Sequence, residues 1–395
     1  MSTLVTTALT LAGLGLLLFA AYLLLITVAA LAARRAAPPP GPAQRRFAIL
    51  IPAHDEEQVI GRLLRSLRSL DYPNSSFDVC VVADNCSDAT ATIARRLGAR
   101  VYERFHDVER AKGFALRWLL AELRAERRTY DAFIVLDADS VVESNLLRVL
   151  DARLEAGSQV IQTHYSVLNA HASAVAGLRY AALAAVHFLR PLGRSAFGLS
   201  CGLKGNGMCF ATHILERFAW SWFSLAEDVE FHLALVRAGL RVDFAPETTV
   251  LADMPVSLAQ AASQNQRWER GRLQLLRSHL PLLLEGLRLR SWRRIDAAIE
   301  QLMPPLSVPF ALAGVVLVGS LVVAAWPAAL FATIAVLAQL AYLAAGLLLV
   351  RAPLKAYLAL SSAPLYIAWK VGLYARSLIN VRATAWIRTA RVTPR

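Results

Sequence analysis

Residues 1–33 and 301–350 of this 395-residue chain contain no aspartate, glutamate, lysine or arginine. Runs of that length exclude an ordinary soluble protein, because a helix crosses the hydrocarbon of a bilayer in about 20 apolar residues. Acids are also missing from Arg351 to Arg395, a stretch with six Arg and two Lys. Cysteine is sparse: Cys80, Cys86, Cys201 and Cys209 form no C-x-x-C pair and lie beside no histidine cluster, which excludes a zinc module. Neither G-x-G-x-x-G nor a Walker A sequence occurs, so two common phosphate-binding fingerprints are excluded as well. No internal repeat or long low-complexity segment is present.

The residues that are there are 56% hydrophobic and carry a formal charge of +13. Such a charge can meet nucleic acid, an anionic membrane or a phosphorylated substrate. Its placement favours the membrane. Arg34 and Arg35 directly follow the first apolar run, and Pro38-Pro39-Pro40-Gly41-Pro42 comes next. The run is long for a signal peptide and has no Lys or Arg ahead of it. It is therefore expected to be an uncleaved anchor with its N-terminus outside and the body cytoplasmic, which leaves the thiols free. Residues 301–350 fit two crossings, with Trp326-Pro327 near the turn. The 14 uncharged residues between Lys355 and Lys370 are short for a span and suit an interfacial or re-entrant segment. Three crossings plus that segment reconcile an outside N-terminus with a cytoplasmic basic tail. The expected location is the inner or plasma membrane, multi-pass, with a cytoplasmic catalytic domain.

Between the apolar runs, residues 45–165 alternate strand-like and helix-like patterns. Phe47–Ile51, Phe77–Ala83, Arg100–Tyr102 and Ala132–Leu136 read as strands; Gln58–Leu70, the stretch ending at Leu97, and Ala111–Leu123 read as helices. This alternation predicts a parallel α/β sheet with helices on both faces and ligands beyond the carboxyl ends of the strands. Acids stand at those ends. Asp84 follows one strand, and Asp137-Ala138-Asp139 follows Phe133-Ile134-Val135-Leu136. Glu227-Asp228 opens a helix after the aromatic run 218–223. Aspartates are common in solvated turns. Two carboxylates spaced i,i+2 at a strand end can also meet one Mg2+ or Mn2+ together with diphosphate oxygens. Lys112-Gly113 opens the helix before that strand. A glycine-rich bend, Ser200-Cys201-Gly202 followed by Gly205-Asn206-Gly207-Met208-Cys209-Phe210, allows close approach of backbone to a ligand or a tight turn under a helix. Further on, Gln264-Asn265-Gln266-Arg267-Trp268 leads into leucines mixed with Arg270, Arg272, Arg277, Arg288 and Arg290, the composition of a helix lying on a membrane.

The ordered set Pro52-Ala53-His54-Asp55-Glu56, Asp84, Asp137-x-Asp139, Glu227-Asp228 and Gln264-x-x-Arg267-Trp268 resembles the family 2 inverting glycosyltransferases. More narrowly, it resembles their membrane-integrated branch of cellulose, chitin, hyaluronan and poly-N-acetylglucosamine synthases. The resemblance covers roughly residues 45–290. It implies a glycosyltransferase A-type nucleotide-sugar-binding domain flanked by transmembrane and interfacial helices. It implies a nucleotide-sugar donor, often a UDP-sugar, with Mg2+ or Mn2+ as cofactor. By this likeness Pro52, His54, Glu56 and Asp84 frame the nucleotide. Lys112 and Asp137 lie near the diphosphate, and Asp139 holds the metal. Asp228, assisted by Glu227, is the catalytic base. Cys201 and Asn206 border the acceptor, while Gln264, Arg267 and Trp268 contact diphosphate or acceptor sugar. The chain departs from the family's Thr-Glu-Asp by having Ala226.

The expected organisation is a transmembrane helix over 1–33, a linker over 34–44 and the catalytic domain over 45–254. The Q-x-x-R-W segment with amphipathic helices follows over 255–300, then two transmembrane helices over 301–350. An interfacial or re-entrant segment (351–378) and a basic tail (379–395) complete it. Two acceptors stay open: a saccharide extended by processive polysaccharide synthesis, or a membrane lipid that receives one sugar. Membrane lipids are expected partners, and a homo-oligomer or secretion partner would widen the path of a polymer. A transporter or scaffold fits less well, since the apolar runs lack internal ionisable residues. Nucleic acid is not expected, because the positive residues gather beside the apolar runs.

Overall fold

The computed structural model describes residues 2–33 and 43–379. The arginines and prolines of the expected linker at 34–42, and the tail at 380–395, lie outside the described residues. In chain order the elements begin with α1 (Ser2–Ala32), β1 (Phe47–Ala53), α2 (Ile60–Arg68), β2 (Phe77–Asp84), α3 (Thr90–Arg96), β3 (Arg100–Arg104) and α4 (Lys112–Ala125). They continue with β4 (Ala132–Val135), β5 (Ser140–Val142), α5 (Leu146–Glu155), β6 (Val160–Val167), α6 (Ala174–Leu183), a π turn (Ala184–Leu189) and α7 (Arg190–Ala196). Next come β7 (Met208–Ala211), α8 (Thr212–Arg217), α9 (Glu227–Arg237), β8 (Asp243–Ala252), α10 (Leu258–Gln274), α11 (Leu276–Arg288) and α12 (Trp292–Leu302). The last are α13 (Ser307–Val322), α14 (Trp326–Leu349), α15 (Leu354–Ala359), a 3-10 turn (Leu360–Ser362) and α16 (Ala363–Ile379).

These elements form two compact units. The described part of the first comprises 43–169 and 199–253 and carries an eight-stranded sheet of order β3-β2-β1-β4-β7-β6-β8-β5. β1 is buried at every residue but Pro52 and pairs in parallel with β2 and β4. An unbroken apolar run of this kind suits a central strand covered on both faces. On α2 the apolar spacing Ile60, Leu63, Leu64 and Leu67 buries one stripe.

The expected parallel arrangement holds for β3-β2-β1-β4 and fails beyond it. β7 runs antiparallel to both β4 and β6, β8 is parallel to β6, and β5 is antiparallel to β8. Residues 170–198, between β6 and β7, belong to the other unit, so no βαβ crossover fixes the direction of β7.

The second unit is helical, with described residues 2–33, 170–198 and 254–379. Among the described residues two helices are long and apolar enough to cross a membrane, Thr3–Ala32 and Trp326–Leu349. The expected third differs: α13 has 16 residues and meets the requirement only together with α12, from which it bends by 71°. At 1.5 Å per residue, 16 residues reach about 24 Å, short of a ~30 Å hydrocarbon core. Leu16, Ala20, Ala313, Val316, Ala332, Ala335 and Ala338 pack as one cluster of mostly small residues, which lets helix backbones approach closely. The stretch over 354–379 is folded as α15, the 3-10 turn and α16.

Charge is also buried in this unit. Arg194 is fully buried and pairs with Asp296 at 2.5 Å and with Glu300. Tyr22 of α1 donates to Asp296 at 3.2 Å, and Arg190 donates to the Tyr342 hydroxyl of α14 at 3.2 Å. The absence of charge along the apolar runs therefore does not extend to the helices packed against them.

Candidate active site

The ends of β1 and β2 build the first wall of the sheet unit's candidate site. Asp55 and Asn85, each just past its strand, hold positive φ of 52°. Side chains other than glycine adopt that region rarely, and Asx residues tolerate it best. The cost is met by cross-links. Asp55 accepts from the Ser87 amide at 2.7 Å, Thr90 from the Glu56 amide at 2.7 Å, and Glu57 from the Ala89 amide at 3.0 Å. His54 Nδ1 lies 2.8 Å from the Asp84 carbonyl. A carbonyl only accepts, so that nitrogen carries the proton. His54 thus ties the two strand-end loops together.

The Asp84 carboxylate is buried against Arg104, at 2.6 Å, and Arg104 also pairs with Glu109 at 3.1 Å. The sequence reading missed Arg104. Its signal was a lone arginine closing a short strand 20 residues after the acid.

The second wall centres on Lys112. Its Nζ donates to Asp137 at 2.6 Å and to the Gly205 carbonyl at 2.5 Å. Asn206, fully buried, accepts from the Asp137 amide at 3.1 Å and donates to Ser140 at 2.9 Å, bracing the D-x-D turn from behind. Gln162 holds the Asn206 carbonyl at 2.7 Å. The bend needs glycine. Gly205 and Gly207 have φ of 76° and 70°, and a Cβ on Gly207 would collide with Thr163. Cys201 is fully buried, its thiol donating to the Gly202 carbonyl at 3.4 Å.

Glu227 and Asp228 are the first residues of α9, where the helix N-terminus favours negative charge. The family hydroxyl missing at Ala226 has a counterpart two residues upstream. Ser224 accepts from the Ala226 amide at 3.2 Å and donates to Glu230 at 2.7 Å. The segment before α9 is pinned to α4. A Cβ on Gly113 would strike the Trp222 carbonyl, and Phe223 stacks on Phe114 at 4.1 Å.

Burial pushes the Glu227 carboxyl up to about 7; Asp228 adds to the rise and Lys112 opposes it. Burial also raises Asp228, against the pull of Lys112 and Lys204. Lys112 moves up in turn: burial disfavours its charge, but Asp137, Glu227 and Asp228 outweigh that effect. Three carboxylates surrounding one lysine leave an excess of negative charge, as a proton-transfer or cation site requires.

Asp137 and Asp139 are half-buried hard-oxygen donors at a strand end, a donor set that suits Mg2+ or Mn2+. Asp137 already faces Lys112, which leaves Asp139 as the residue to hold a cation. Asp55, Cys86 and Asp88 form a second group, with ligand atoms within 4.8 Å of one another. It fits a metal poorly, because burial pushes the Cys86 thiol up to about 11 and Asp55 and Asp88 already bond to loop amides.

In the helical unit, Gln264, Arg267 and Trp268 lie on α10. Arg179 of α6 donates to Gln264 at 2.8 Å and lies 4.7 Å over the Trp268 ring. Asn265 and Glu269 are buried on the same helix and were also missed. With Ala261 they repeat at i, i+4 and i+8, a stripe visible in the sequence.

The profile of the family described as Glycosyltransferase like family 2 matches residues 42–271. The Bacillus subtilis protein named "Probable glycosyltransferase YdaM" is 25% identical over 235 residues, covering 57% of this chain and 55% of that protein. A beta-monoglucosyldiacylglycerol synthase of Trichormus variabilis is 27% identical over 284 residues, covering 68% and 58%. The chain thus spans little more than half the length of these curated relatives. A mannosyltransferase from Pyrobaculum calidifontis, solved with GDP-Man and Mn2+, aligns with a TM-score of 0.53 at 17% identity, covering 88% of this chain and 98% of that one. At that identity the likeness shows the fold, a glycosyltransferase A-type α/β arrangement. The narrower likeness to polysaccharide synthases is not carried by these relatives.

Proposed function

The chain belongs to glycosyltransferase-like family 2, and from that premise we propose that it transfers a single sugar from a nucleotide-sugar donor to a membrane lipid, with inversion. The carboxylate pair opening α9, raised by burial beside Lys112 and Asp137, carries this reading. Apolar helices in the same chain and the lipid-glycosylating relative favour a lipid over a growing polymer.

In this mechanism Asp228 takes the proton from the acceptor hydroxyl as its oxygen attacks C1 of the donor sugar. The new C–O bond forms as the bond from C1 to the diphosphate breaks, and the nucleoside diphosphate leaves with the bond's electron pair. Glu227 shares the negative charge of the pair and keeps Asp228 basic near neutral pH. Lys112 holds Asp137 in place and offers positive charge to the diphosphate. Asp139 would hold Mg2+ or Mn2+, which when bound neutralises charge on the leaving group. Asn206 keeps the Asp137 turn in register. Pro52, His54, Glu56 and Asp84 frame the nucleotide. Gln264, Arg267 and Trp268 bind on the acceptor side, and Cys201 supports the glycine bend. Three crossings, counting the bent pair, place the sheet unit in the cytoplasm.

The test is incubation of the purified enzyme with a panel of nucleotide sugars, Mg2+ or Mn2+, and diacylglycerol-type lipids, read by mass spectrometry. A lipid heavier by one hexose supports the reading. A ladder of saccharides from one enzyme encounter would replace it with processive synthesis.

A further inference from the structure

We propose that Arg179 and Lys370 are positioning residues for the Gln264-x-x-Arg267-Trp268 segment, holding it from two helices, α6 and α16, that the segment itself does not include. The role assigned to the segment rests on the glycosyltransfer proposed above.

Asn265, only 1% exposed, is the hub. Its Oδ1 accepts from Arg179 at 3.3 Å and from Lys370, which lies 105 residues away in sequence. Its Nδ2 is spent on the Ala261 carbonyl at 2.7 Å, so the amide is satisfied on both ends and cannot flip without losing partners. One helical turn on, Glu269 is 4% exposed and pairs with Lys370 at 3.0 Å. Lys370 and Arg179 are themselves more than nine-tenths buried.

A clamp serving stability alone would need only Asn265 and Glu269. Arg179 goes further and touches two of the motif's own side chains. It donates to Gln264 at 2.8 Å and covers one face of Trp268 at 4.7 Å. A guanidinium can do both at once because it is a planar fork that stacks and donates in its plane. One face of the indole is therefore taken, and a sugar ring would use the other. The direction of Gln264 and Trp268 follows from where Arg179 sits, and Arg179 shares Asn265 with Lys370. The C-terminal helix α16 thereby enters the working machinery without lying in the motif.

The experiment uses the full chain in detergent with Lys370→Met, Lys370→Arg, Arg179→Lys and the exchange Glu269→Lys with Lys370→Glu. Two readouts are taken: steady-state kinetics for donor and acceptor, and hydrogen–deuterium exchange across residues 258–274. Lys370→Met is expected to speed exchange in that segment. It should also lower kcat/KM for the acceptor by about 10- to 100-fold, the size of one lost charge-assisted hydrogen bond, with donor KM unchanged. Lys370→Arg and the charge exchange should recover most of the loss. If Lys370→Met does not fold, Arg179→Lys, which keeps charge but loses the fork, reads the same contacts. Wild-type exchange in 258–274 in these variants would overturn the proposal. So would activity lost only in proportion to folded protein, with donor and acceptor KM moving together. The exchange readout needs no acceptor. A wild-type enzyme that glycosylates no lipid would therefore defeat the proposed function while leaving the clamp to be judged separately.

Discussion

The two units bury charge in opposite ways. Around Lys112 the sheet unit gathers Asp137, Glu227 and Asp228, and the acids outnumber the base. Around Arg194 the helical unit closes its books: Arg194 and Arg190 face Asp296 and Glu300, with Tyr22 and Tyr342 filling the remaining hydrogen bonds. An unbalanced cluster keeps a proton in play and is costly unless a ligand or reaction uses it. A balanced one has no titration to offer. It fixes which helices meet, because each partner left alone would be an uncompensated charge.

Substitutions can break this contrast. The largest effect is expected for Asp228→Asn, which removes the base while keeping shape: transfer should fall by about 10²- to 10⁴-fold with donor binding retained, measured by product formation and donor titration. Arg194→Met should leave the chemistry intact in whatever protein folds but cost about 3–5 kcal/mol of stability, since Asp296 and Glu300 lose their buried partner. Thermal unfolding in detergent measures it, and adding Asp296→Asn and Glu300→Gln should return much of the loss.

The contrast can also be sharpened by pH. Glu227 titrates near 7 in the folded chain, above its usual 4.5. The native state therefore binds more protons than the unfolded chain between those values, so stability should fall as pH rises through that window while kcat rises through about 7. Lys112→Met removes the positive neighbour that opposes the shift. The kcat profile should move to higher pH, and transfer measured from pH 5 to 9 would show it. Asn206→Ser is the mildest change. It loosens the Asp137 turn and is expected to reduce kcat by about tenfold, roughly one hydrogen bond.

Much of the sheet unit was legible in the sequence. β1 and β4 are continuous apolar runs with acids or turn residues at their carboxyl ends, and such strands advertise both their burial and where a ligand would sit. The direction of β7 was not legible, because Phe210 finds its place through Phe133 and Val160, pairings that local periodicity does not encode. Within the site, Asp137 and Asp228 stood out because their neighbours in sequence explain them. Arg104, Ser224, Asn265 and Glu269 did not, because each acquires its role from a partner that only the fold supplies. The apolar runs were legible as membrane-crossing material. The break between α12 and α13 was not, since Pro304-Pro305 lies inside a charge-free stretch that hydropathy alone reads as continuous.

The π turn at Ala184–Leu189 carries a consequence for how the sequence can change in length. It joins α6 and α7 as one continuous helical path, and a π turn holds one residue more per turn than its α neighbours. Deleting a residue there would let the path close into a regular α-helix and rotate everything after it by about 100°. Arg190 and Arg194 would swing away from Tyr342, Asp296 and Glu300, while Arg179, upstream, would stay on Trp268. Substitutions at Val186 change one side chain; a deletion at the same place changes the phase of a whole helix. The extra residue works as a spacer that keeps two arginine functions, one on each side of it, in their separate angular settings.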